Sequence, residues 1–173
     1  MAAKQTTERL FYTTEFDSLF MQGLCHLHAD SLTLAQESFK KCQKLESKSA
    51  VVAYQLANIS AMERDTTTAI KLLKKAVRYN KSNYFYYSTL AEWYTAINDY
   101  KAATQIYQTI CKKFPDKEYP LYMLSRCYLQ LGDYAKSIKT YEQLETRIGV
   151  TAEMSLEKAY VMALQGNWDG MKR

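Results

Sequence analysis

A chain of 173 residues, 47% of them apolar, has the material for one core of ordinary size, and no run of about 18 apolar residues crosses a bilayer. Two prolines and five glycines among abundant Ala, Leu, Lys, Gln and Glu leave few sites for tight β-turns and predict an all-α chain. The net charge of +5 would suit an acidic partner, but Lys71, Lys74, Lys75, Arg78 and Lys81 are offset by acidic residues spread along the rest of the chain and read as a solvated helix face, not a nucleic-acid or anionic-lipid surface.

In chain order, the opening stretch MAAKQTTERLFYTT has no charged start followed by an apolar block, so no export signal is visible in it. Residues 1–15 read as the lead-in of the first helix. From there the chain repeats. The segments NDYKAATQIYQ and GDYAKSIKTYE set Tyr100 and Tyr134 34 positions apart. A frame of that period opened at Phe16 starts again at Ala50, Tyr84, Glu118 and Ala152 without insertion or deletion. The expected organisation is a single domain over 1–173, with repeats at 16–49, 50–83, 84–117 and 118–151 and a partial fifth at 152–173.

Column eight of the frame holds Gly23, Ala57, Ala91, Ser125 and Ala159, and column twenty holds Ala35, Ala69, Ala103 and Ser137. Two helices joined by a short turn approach closely only where neither presents bulk, so these columns predict a crossing point inside each unit. Gln22, Leu56, Leu90 and Leu124 in column seven and Phe39, Leu73, Tyr107 and Tyr141 in column twenty-four supply the filling. Between them lie HADSL, MERDT, AINDY, QLGDY and QGNWD, each with Asp, Asn or Gly where one helix stops and the next is capped. Pro115 in column thirty-two ends the second helix of the third unit.

On these columns, together with Tyr94, Tyr128 and Ala76, the chain resembles the tetratricopeptide repeat (TPR) family over about 16–173. The first unit departs from the pattern, with Gln22 and His26 where Leu and Tyr stand. The resemblance implies an all-α, right-handed α-solenoid of antiparallel helix pairs, the TPR superhelix. It also implies a concave groove lined by the first helix, helix A, of each unit. The family's groove positions fall on Phe20, Met21, Leu24 and His28; on Tyr54, Gln55, Asn58 and Met62; and on Phe85, Ser88, Thr89 and Glu92. Further on they fall on Tyr119, Tyr122, Met123 and Arg126, then on Glu153, Leu156, Glu157 and Tyr160. The third and fourth units look most like exported TPR proteins of Bacteroides-type bacteria, which implies a periplasmic or exported protein with its signal removed; a cytoplasmic one is the alternative.

The implied function is a non-catalytic scaffold that binds a peptide or helix of a partner protein through aromatic contacts. Its expected site residues are Phe20, Tyr54, Asn58, Phe85, Glu92, Tyr119, Tyr122, Arg126 and Tyr160. The runner-up is a structural or assembly module of a longer chain whose activity lies outside this segment. Where one TPR subclass grips a chaperone's C-terminal carboxylate, this chain has Tyr54, Asn58, Thr89, Tyr119 and Met123. Only Asn58 fits, so no carboxylate clamp is expected. Basic residues are not gathered on groove positions, which argues against nucleic acid. No phosphate loop, H-E-x-x-H, G-x-S-x-G or kinase signature occurs, so neither catalysis nor a cofactor is expected.

Cys25, Cys42, Cys111 and Cys127 form no C-x-x-C, and they fall in columns where the resembled family carries Ala or Leu, so all four are expected in the core. In CHLH, His26 and His28 are two apart and point about 200° from one another on a helix, which opposes a shared metal. His26 is expected buried or half-buried. The incomplete fifth unit predicts an array that continues past Arg173, or an uncapped edge used for self-association.

Overall fold

The computed structural model describes residues 2–166, with side chains from Thr14 onward. Among them the chain forms nine helices and no strand: α1 (Ala2–His28), α2 (Leu32–Leu45), α3 (Ala50–Met62), α4 (Thr66–Tyr79), α5 (Tyr84–Ala96), α6 (Tyr100–Lys113), α7 (Tyr119–Gln130), α8 (Tyr134–Ile148) and α9 (Ala152–Leu164). None of the described helices is long and apolar enough to cross a membrane.

The turns inside the helix pairs share one construction. Asp30, Arg64, Asn98, Gly132 and Gly166 stand 34 positions apart, and all five are left-handed, with φ of 56°, 62°, 60°, 72° and 77°. The amide of Arg64 donates to the Ala61 carbonyl at 3.0 Å and that of Asp65 to Ser60 at 2.8 Å; Gly132 and Asp133 repeat the pair on Leu129 and Tyr128. Carbonyls that the finished helix would leave unbonded are satisfied this way. The next residue then caps the following helix. Asp65, Asp99 and Asp133 accept the amides of Thr68, Ala102 and Lys136 at 3.0, 3.0 and 3.3 Å. Ser31 instead turns its hydroxyl back to the Ala29 carbonyl at 3.3 Å, and α2 has no side-chain cap.

The small columns are where helices touch. Ala57, Ala91, Ser125, Ala35, Ala69, Ala103 and Ser137 are at most 1% exposed. The Ser137 hydroxyl donates across the crossing of α8 on α7 to the Ser125 carbonyl at 2.9 Å, a reach that a larger residue in either column would prevent. On α1 the buried Gly23 has the Phe39 ring lying over it; a Cβ there would sit 2.7 Å from two ring carbons.

Packing divides the chain between Tyr86 and Tyr87 into two compact units. In the first, α1 packs on α2, α2 on α3, and α3 on α4. Phe39, Cys42, Val52, Leu56 and Ile59 form its main core, with Ala53, Ala76 and Tyr86 in a second cluster. In the second unit α6 packs on α7, α7 on α8 and α8 on α9, around Tyr107, Ile110, Leu124, Tyr128, Tyr141, Leu144 and Val161. Each such large side chain withdrawn from water contributes about 1.5–3 kcal/mol.

Two expectations about the first unit need correction. Gln22 is exposed and fills nothing; Phe16, Leu19 and Phe20 pack against the core around Phe39 instead. Cys25 is exposed, whereas Cys42 and Cys127 are buried and Cys111 is partly so. Cys127 shares a column with Cys25 but belongs to α7, which α6 covers. Among the described residues no helix takes that place beside α1. His26 is half-buried. The expected start of a further helix in 167–173 lies outside the described residues.

Candidate functional site

Because α3, α5, α7 and α9 open at equivalent points of the 34-residue frame, their equivalent residues come to lie on equivalent faces. In the first unit, α1 and α3 leave a recess of about 350 Å³ lined by Leu24, Leu27, His28, Gln55, Asn58 and Met62. All but Leu27 are expected groove residues. Asn58 Nδ2 donates to Gln55 Oε1 at 3.3 Å, one turn along α3. This leaves the Asn58 oxygen and the Gln55 amide nitrogen to meet a polar ligand, such as the backbone of an extended peptide.

The aromatic residues expected in this region divide between packing and exposure. Phe20 is half-buried, stacked on Phe16 at 6.0 Å and edge-on to Phe39 at 5.4 Å. Tyr54 is half-buried against Tyr86, with ring centroids 5.2 Å apart. These two serve the core. Phe85 is 70% exposed at the start of α5, where its amide is capped by Asn83 Oδ1 at 2.9 Å.

In the second unit Glu92 is exposed and accepts a hydrogen bond from the Ser88 hydroxyl one turn back at 2.9 Å. Tyr122 of α7 donates to Glu157 Oε1 of α9 at 3.0 Å, and the buried Tyr141 of α8 donates to Glu157 Oε2. Arg126 reaches the Tyr122 hydroxyl at 3.5 Å with its guanidinium 5.8 Å from that ring's centre. Burial pushes the Tyr122 and Tyr141 phenols up, and the bonded Glu157 carboxylate pushes them further. Both therefore stay protonated donors at neutral pH. A second tie between α8 and α9 is the Lys158–Glu145 ion pair at 2.8 Å, whose side chains are 23% and 12% exposed.

The outward part of this face is apolar. Leu156, Tyr160 and Leu164 are 75%, 58% and 44% exposed at four-residue spacing on α9, and Tyr119 on α7 is 51% exposed. The nine expected residues thus sort by role: Phe20 and Tyr54 pack, Tyr122 ties α7 to α9, the exposed Arg126 braces Tyr122 within α7, and Asn58, Phe85, Glu92, Tyr119 and Tyr160 present surface. Leu164 and the Glu157 junction stand outside those nine. Leu164 occupies the frame position of Met62, which the expected groove set did include, but nothing in the spacing joins Tyr122, Tyr141 and Glu157.

Helix pairs repeated at 34 residues, crossing on small columns and closed by the same turn, define an all-α helical-repeat solenoid. Residues 95–147 match the tetratricopeptide repeat family, and the chain shares the fold of solved TPR proteins. Among solved structures it is similar to a TPR protein from Parabacteroides merdae, with a TM-score of 0.77 at 19% identity, covering 92% of this chain and 64% of that one. This chain therefore spans less than two thirds of that protein's length. The MamA protein gives 0.75 at 18% identity, covering 91% and 86%. YrrB, a TPR protein with an unusual peptide-binding site, gives 0.74 at 14% identity, covering 95% and 86%. No curated protein matches the sequence.

Proposed function

We propose that the chain is a non-catalytic protein-interaction scaffold whose helix A faces hold a peptide or helix of a partner protein. The repeat division at 16, 50, 84, 118 and 152 belongs to the same proposal. The observation that carries it is the recess between α1 and α3, where Leu24, His28, Gln55, Asn58 and Met62 line one cavity. Apolar groups beside paired amides suit a peptide, which brings side chains to bury and backbone groups to satisfy. Exposed Phe85, Tyr119 and Tyr160 add rigid rings that bury large areas at little cost in side-chain freedom.

Selection of displayed peptides on the whole chain tests this reading. The selected peptides should lose about tenfold or more in affinity with Asn58→Ala, Met62→Ala or Tyr160→Ala, and nothing with Lys139→Ala, an exposed residue of α8. Peptides indifferent to all three face substitutions, or no selected peptide at all, would remove the faces from the account.

A further inference from the structure

We propose that a recess where α7, α8 and α9 meet holds the side chain of a lysine or arginine from a partner peptide. The inference rests on the peptide-binding reading above and adds the class of residue that the second unit selects. The recess has a volume of about 390 Å³. Leu144 and Met154, 2% and 4% exposed, form its apolar floor, with Ile148 beside them. Tyr119 and Tyr122 wall it, and the exposed Glu118 and Glu153 border it.

Each part suits a different stretch of a basic side chain. The methylene stem lies along apolar surface while the charged head seeks water or a counter-charge. Tyrosine rings attract that head electrostatically. The Tyr122 hydroxyl is tied to Glu157 at 3.0 Å, so its ring is held as a fixed wall.

The two carboxylates are not consumed by the helix ends where they sit. α7 has no side-chain cap bond from Glu118, and α9 is capped by the Thr151 hydroxyl, which accepts the Met154 amide at 3.2 Å. Among the described residues neither carboxylate has an ion pair or a hydrogen-bond partner. Nearby cations are held elsewhere: Lys117 pairs with Asp116 at 3.2 Å, and Arg147 donates to the Pro115 carbonyl at 2.8 Å. An anion would meet two like charges here, and an apolar side chain would leave both unanswered.

The test is a titration of the isotope-labelled whole chain, followed by amide NMR shifts, with the N-acetyl N-methylamides of lysine, arginine, norleucine and glutamate. The lysine or arginine probe should saturate and shift amides around 118–122 and 148–154, while norleucine and glutamate should bind at least about fivefold more weakly. The Glu118→Gln/Glu153→Gln double variant should lower affinity for the basic probe about five- to tenfold with helicity unchanged. If that variant loses helicity, Glu153→Gln alone combined with added salt should weaken the basic probe and spare norleucine. Norleucine binding as tightly as lysine, shifts confined to other regions, or a basic probe indifferent to both glutamates would overturn the proposal. The titration needs no partner peptide. Its failure while face substitutions still weaken selected peptides removes only the basic-residue claim, and failed peptide selection leaves the titration informative.

Discussion

The α1–α2 hairpin and the α7–α8 hairpin close the same crossing by opposite means. In the first, bulk is removed from one helix altogether, and the Phe39 ring lies on the bare backbone at Gly23. In the second, Ser125 and Ser137 share the contact, and the Ser137 hydroxyl donates to the Ser125 carbonyl at 2.9 Å. The column-twenty-four residue differs to match: Phe39 is wholly apolar, while Tyr141 sends its hydroxyl out of the same kind of buried position to Glu157. One hairpin relies chiefly on shape, its side-chain bond between the two helices being the weak one from the Cys42 thiol to the Phe16 carbonyl at 3.7 Å; the other is tied by polar bonds to the helix that follows it.

The largest expected effect attacks the α1–α2 hairpin. Gly23→Val should cost about 3 kcal/mol, because a Cβ meets the Phe39 ring at 2.7 Å and the ring is walled in by Phe20. In a Phe39→Ala background the same change should cost far less, and urea midpoints of the four chains would show it. Strictly additive losses would mean that ring and glycine do not share a space.

The polar tie is probed at Tyr141. Tyr141→Phe takes one donor from Glu157 and should cost about 2 kcal/mol by thermal unfolding. Tyr107 stands in the same column, fully buried, with its hydroxyl unpartnered. Tyr107→Phe should therefore be neutral or stabilising by up to about 1 kcal/mol. Equal losses at the two sites would show that the Glu157 bond adds nothing to stability.

A smaller effect follows with pH. Burial pushes the Tyr107 and Tyr141 phenols up, and in an unfolded chain such phenols ionise near about 10. The folded state then keeps protons that the unfolded state releases. Stability from this source is whole below about pH 10 and is lost as pH climbs toward the folded values. Melting temperatures followed by circular dichroism should fall above about pH 10, and less steeply for Tyr107→Phe. A decline already complete by pH 9 would point to other groups.

The smallest effects lie in the turns. Asp30 carries a left-handed φ of 56° where the fourth unit has Gly132, and Ser31 fails to cap where Asp133 caps. Asp30→Gly and Ser31→Asp should each stabilise by about 0.5–1 kcal/mol, whereas Gly132→Ala should cost about 1. Calorimetry that found no gain at either α1–α2 site would mean that this hairpin's turn does not limit its stability.

Much of the fold was legible because it depends on residue size at fixed spacing. A helix pair that crosses on Ala69, Ala103 or Ser137 repeats its small column in the amino-acid order itself, and the Asp caps sit at the same interval. The failures came where the outcome depended on a neighbour. Cys25 and Cys127 hold one column, yet only Cys127 has a helix across from it. Among the expected site residues, Tyr54 and Tyr119 look alike in the frame, and only coordinates separate the ring that packs on Tyr86 from the one half in solvent.

Taken alone, the order of residues determined that this protein is a run of helix pairs, where each pair turns and where its helices touch, because propensity, capping and size act within one repeat. Tertiary structure alone decided that Tyr122, Tyr141 and Glu157 meet, that Glu118 and Glu153 border one recess, and that the packing parts at Tyr86. The first two outcomes join residues from 16 to 35 positions apart, bringing α9 against the pair before it. Hydrogen bonds and charges between such residues have no energy until packing has already brought the helices together.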